Sequence, residues 1–66
     1  MGRKQILQRM GDIRKAKKLS AYELSLRIGK STNYIHEVEK GKINVSIDVI
    51  LAICNELGIN PKELFD

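Results

Sequence analysis

A chain of 66 residues with 42% hydrophobic and 30% charged side chains makes one domain, residues 1–66, with a small core; at this size only ~60% of the unfolded surface is buried on folding. The net charge of +4 suits a polyanionic partner, or serves solubility alone. The single cysteine, Cys54, excludes an internal disulfide and a zinc site of several thiolates, and His36 has no second histidine to share a metal with. No apolar run approaches the ~20 residues of a membrane span. The charged N-terminus lacks the apolar segment of a secretory leader, so a cytoplasmic location is expected. There is no glycine-rich phosphate loop and no convergence of acid, base and nucleophile, so neither catalysis nor a cofactor or small-molecule ligand is expected. One proline, and glycines that fall between periodic segments, predict an all-α fold with short connections.

Residues 1–4 read as a basic, frayed arm in which Arg3 and Lys4 either touch phosphates or remain solvated. Helix 1 is predicted over 5–17, with Ile6, Met10 and Ile13 as its apolar stripe. Lys15, Lys17 and Lys18 collect at its end, where cations suit the helix dipole or meet a phosphate. Gly11, inside this helix, has no local explanation. Helix 2 is predicted over 21–28. Ser20 caps it, and Glu23 three residues on completes a capping box. Leu24 and Ile28 share its buried face, beside the small Ser25, and Gly29 can take the left-handed turn that follows.

Helix 3 is predicted over 32–40, with Ser31 as cap, Ile35 and Val38 buried, and Gly41 as stop. Thr32, Asn33, His36, Glu37 and Lys40 are then left outward. Two helices this short cannot stand alone, because nucleation is costly. They must cross and share a core, and an exposed short helix with such residue types near its start is a helix-turn-helix reading element. A loop, 43–45, leads to helix 4 over 46–57, where Ser46 caps and Asp48 lies in the first turn. Ile47, Ile50, Ile53, Cys54 and Leu57 form its core face, with Val49 and Leu51 off it, and Gly58 ends the helix. A fifth, short helix follows Asn60 as cap, Pro61 in the first position and Glu63 closing a box. Leu64 and Phe65 cannot both be buried in so small a fold. One of them closes the core and the other, with Ile59, makes an apolar patch that suggests association.

The ordered spacing of Leu24-Ser25, Gly29, Ser31, Ile35, Glu39 and Gly41 resembles the lambda-repressor-like helix-turn-helix family of the XRE, or Cro/CI, type, over about residues 6–65. The resemblance implies a compact five-helix DNA-binding domain whose helix 3 enters the major groove. It also implies an ion pair between Arg14 and Glu39, fixing helix 3 against helix 1. At Ala21 the family often has glutamine, which supports the DNA contact; alanine leaves this to the backbone N–H groups at the helix start.

By position, Thr32, Asn33 and His36 are the candidates for base edges, and Glu37 either accepts from cytosine or repels a poorly docked phosphate. Ala21, Tyr22, Ser31, Tyr34, Lys40, Lys42 and Asn44 are the candidates for backbone contact. Tyr22 has covering the domain edge as its alternative, Tyr34 packing on helix 2, and His36 a solvated surface position. The family commonly dimerises through its C-terminal region, which assigns Ile59, Leu64 and Phe65 to a homodimer interface and gives the duplex an inverted repeat. The expected function is a sequence-specific regulator of transcription that binds double-stranded DNA, most simply a repressor. The alternative is a protein-interaction module of the same fold, such as an antitoxin or bridging subunit.

Overall fold

The computed structural model describes residues 2–65 and contains five helices: α1 (Arg3–Ala16), α2 (Ala21–Arg27), α3 (Tyr34–Glu39), α4 (Ile47–Leu57) and α5 (Lys62–Phe65). Among the described residues there is no strand. Met10, Leu24, Ile35, Val38, Ile53, Cys54 and Leu64 form the fully enclosed centre, with Leu7, Leu19 and Leu57 around them. α3 packs on both α1 and α2, α4 meets α2, and α5 returns to α1.

The N-terminal residues 2–4 are not a frayed arm. The Gly2 carbonyl accepts from the Gln5 and Ile6 N–H groups (3.1 and 3.2 Å), and the Gln5 side chain accepts from the Gly2 N–H (3.2 Å). These bonds satisfy orphan groups at the helix start, so α1 begins at Arg3; Met1 lies outside the described residues. The buried face of α1 is also turned from the predicted stripe. Leu7, Met10, Gly11 and Arg14 face inward, and Ile6 and Ile13 are half-buried beside them. A charged residue on the inward face disguised its phase.

The turns follow local chemistry. Gly29, Gly41 and Gly58 take positive φ, at +75°, +77° and +69°, where a Cβ would cost strain. Lys18 does the same at φ 59° after α1, without being glycine. The Ser20 Oγ accepts from the Glu23 N–H at 3.0 Å, but the Glu23 carboxylate faces Arg27 (3.7 Å) instead of closing a box. Ser46 caps α4 through the Val49 N–H (3.3 Å). At α5 both halves of the cap form. Asn60 Oδ1 accepts from the Lys62 N–H (3.0 Å), and Glu63 Oε2 accepts from the Asn60 N–H (2.9 Å).

Two further corrections concern α4 and α5. Ile47, assigned to the core face, is 61% exposed, its neighbours Ser46 and Asp48 at the start of α4 are exposed too, and Ile50 is half-buried. Leu64 is the residue that closes the core, with no exposed surface, and Phe65 stays 45% exposed. Leu64 therefore has no surface to offer a second subunit.

Candidate nucleic-acid interface

α3 has only six residues, too few to hold a fixed direction by its own hydrogen bonds. It is clamped at both ends. At its start, the fully buried Ser25 donates from Oγ to the Ala21 carbonyl (2.8 Å) and accepts from the Ile35 N–H (2.9 Å). One hydroxyl thus satisfies an orphan N–H of α3 and ties it to α2. The Ser25 carbonyl also accepts from the Lys30 N–H (2.9 Å), which shapes the turn.

The end of α3 is held by the expected ion pair. Arg14 Nε donates to Glu39 Oε2 at 2.7 Å and Nη2 to Oε1 at 3.0 Å, while Nη1 donates to the Leu19 carbonyl at 2.9 Å. The guanidinium is bidentate toward the carboxylate and also braces the turn after α1, so three elements meet at one side chain. Hydrogen bonding and charge attraction from Glu39 hold the Arg14 pKa above its ordinary value, outweighing the opposing effect of burial. Gly11 now has its reason. A Cβ there would come within 3.2 Å of Glu39 Oε1, so the bare backbone of α1 makes room for the carboxylate.

Between these clamps the outward groups are set. Asn33, His36 and Lys40 recur at helical spacing of three and four and are exposed, as is Thr32. Thr32 and Asn33 do not lie within α3, as expected, but in the turn that leads into it; Asn33 is the N-cap residue, with φ −100° and ψ 6°. Ser31 supplies no side-chain cap. Its carbonyl accepts from the Tyr34 N–H (3.1 Å), a turn bond that displaces the cap and delays the helix start. Glu37 is half-buried and its carbonyl accepts from the Lys42 N–H (3.0 Å). Tyr34 is half-buried against the core, with Lys30 Nζ 5.4 Å from its ring centroid, a cation–π distance. Lys40, Lys42 and Asn44 are exposed on the loop side, Tyr22 is exposed on α2, and Ala21 is half-buried.

Lys30 was missed in the sequence. It brings a cation to the tip of the turn, and its position directly after Gly29 was the available signal. Cys54 takes no part in this surface; it is buried on α4, and burial, with a smaller effect from Glu63, pushes its thiol pKa up. Among the described residues no group of His, Cys, Asp or Glu is placed to hold a metal ion, and no helix is long and apolar enough to cross a membrane.

The arrangement is a short element carrying amide, hydroxyl, imidazole and ammonium groups on a rigid support, with lysines beside it. Groups of these types can hydrogen-bond base edges, and ammonium groups can pair with phosphates.

Known proteins agree with this geometry. The helix-turn-helix family pattern matches residues 10–64. The control protein C.BamHI of Bacillus amyloliquefaciens is 37% identical over 60 residues, covering 89% of this chain and 74% of that protein. The crystal structure of the restriction-modification controller protein C.AhdI from Aeromonas hydrophila superposes with a TM-score of 0.85 at 39% identity, over 92% of both chains. The chain is therefore a DNA-binding transcriptional regulator that belongs to the lambda-repressor-like helix-turn-helix family and is homologous to these controller proteins.

Proposed function

We propose that the protein reads a specific DNA sequence through the ridge of Thr32, Asn33 and His36, and that it controls the genes of a restriction–modification system, a reading supported by its likeness to C.AhdI, a restriction-modification controller protein. The observation that carries the reading surface is the double clamp on α3: the Ser25 hydroxyl at one end and the Arg14–Glu39 pair at the other. A reading element so held loses little freedom on binding, and base-edge bonds need that precision. Lys30, Lys40, Lys42 and Asn44 supply the backbone contacts, and the N–H groups at the start of α2 add to them.

The protein acts as a homodimer in this reading, with two reading elements about one DNA turn (~34 Å) apart on an inverted repeat. Apolar side chains left in solvent support an interface. Phe65 and half-buried Ile59 lie at the C-terminal end, and Ile47 and Leu51 lie four residues apart on α4. Repression is the simplest mode for such a dimer, because a domain seated over promoter DNA excludes other proteins from it.

Chemical-shift mapping on a bound duplex tests the surface. Changes concentrated in residues 30–44 and at the start of α2 are expected. Changes centred on α4 and α5, with α3 silent, contradict the assignment. Sedimentation equilibrium tests the dimer, and a monomer at micromolar concentration, with and without DNA, removes it.

A further inference from the structure

The loop between α3 and α4 presents Lys42 and Asn44 to solvent, yet little backbone bonding fixes it. The Lys42 N–H is tied to the Glu37 carbonyl. Beyond it, among the described residues, none of Ile43, Asn44 and Val45 donates a backbone–backbone hydrogen bond. Two things hold the segment: the half-buried side chains of Ile43 and Val45 against the core, and a bond from far along the chain. Arg3, in the first turn of α1, donates from Nη2 to the Ile43 carbonyl at 2.9 Å. Arg3 and Lys4 also line an open hollow of about 390 Å³, shared with Leu7, Glu39, Lys40 and Gly41, which brings the start of α1 beside the end of α3.

We propose that Arg3 is a positioning residue for DNA binding: its guanidinium tethers the loop so that Lys42 and Asn44 are pre-arranged toward the phosphate backbone. The inference rests on the DNA-reading surface proposed above. Arg3 thereby belongs to the binding machinery without touching DNA. A loop already ordered in the free protein loses less conformational freedom on binding, so the tether strengthens binding to every sequence alike. Lys4, its neighbour, carries the same charge and is also exposed, and so controls for charge alone.

The test compares Arg3→Ala with Lys4→Ala in the full chain. Amide hydrogen exchange at Lys42, whose N–H is bonded to the Glu37 carbonyl beside the tethered Ile43, is measured in the free protein, and duplex affinity across a salt series. Arg3→Ala is expected to speed exchange in the loop and to weaken binding to all duplexes by about three- to tenfold, the range of one exposed hydrogen bond. The slope of log affinity against log salt is expected to stay as in the wild type. Lys4→Ala leaves loop exchange unchanged. Unchanged exchange in Arg3→Ala overturns the tether. Faster exchange with undiminished affinity overturns its role in binding. A slope reduced by about one makes Arg3 a phosphate contact instead and also overturns the proposal. Failure of the wild type to bind any duplex strikes the DNA reading itself, while exchange in the free protein still decides the tether.

Discussion

Asn33 and Lys42 both offer polar groups to solvent within one short stretch, yet they are expected to fail differently when removed. Asn33 stands at the N-cap of α3 and its side chain makes no cap bond, so its amide is free to pair with an adenine edge. Asn33→Ala should cost about 1–3 kcal/mol of specific binding and relax preference at a single base pair. Lys42→Ala should weaken binding to all sequences and reduce the salt slope by about one; titrations against the preferred duplex and its single-base variants separate the two. Equal losses on every variant for Asn33→Ala would move the reading face elsewhere. Some of these residue roles were legible and some were not. The Arg14–Glu39 pair was reached through family resemblance, and the structure gives it two short bonds. Gly11 was opaque, because its reason is a carboxylate 28 positions further along the chain. Local propensity treats glycine in a helix only as a cost.

The helices are held by contacts that a single atom can remove. Ser25→Ala keeps the small volume that lets α2 and α3 approach, but it leaves the Ile35 N–H, buried at the start of α3, without its acceptor. The expected loss is about 1–3 kcal/mol in chemical denaturation, the cost of an unsatisfied buried donor. A loss below a few tenths would mean that α3 is not held by this bond. The turn after α1 offers the opposite case. Lys18 sits at φ 59° while its N–H donates to the Lys15 carbonyl (2.9 Å) and the Leu19 N–H to the Arg14 carbonyl (3.2 Å). This is the left-handed helix ending that glycine favours. Lys18→Gly should raise stability by about 1 kcal/mol, read as a higher denaturation midpoint, because the bonds need no Cβ. Helix ends were the most legible part of the sequence, since Ser20, Ser46, Asn60 and the three left-handed glycines act within a few residues of themselves. The start of α3 was not. Ser31 fits a cap by type, yet the turn bond from Tyr34 N–H to its carbonyl postpones the helix. The phase of α1 was misread for a related reason, because Arg14 faces inward to meet Glu39 and a charged residue breaks the apolar pattern.

At the scale of the whole molecule, a core of about ten side chains serves chiefly to orient one short surface element. The molecule measures 28 × 24 × 20 Å, so one copy spans little more than half a site of an inverted repeat. That size, with Phe65, Leu51 and Ile47 in solvent, supports the proposed dimer. The all-α class and the order of the five helices were legible because each helix carries its own caps and period. The association surface was less so. Leu64 and Phe65 are alike in the sequence, and only the packing of α5 on α1 decides which is enclosed. The central claim is sequence-specific reading by α3 and the turn before it. Selection of bound duplexes from a random library at near-physiological salt tests it most directly. Enrichment of a short inverted repeat whose half-sites lie one helical turn apart is expected. A single enriched half-site would keep the reading element and remove the dimer. Salt-sensitive binding with no enriched sequence would contradict the claim, leaving a basic domain that holds DNA without reading it.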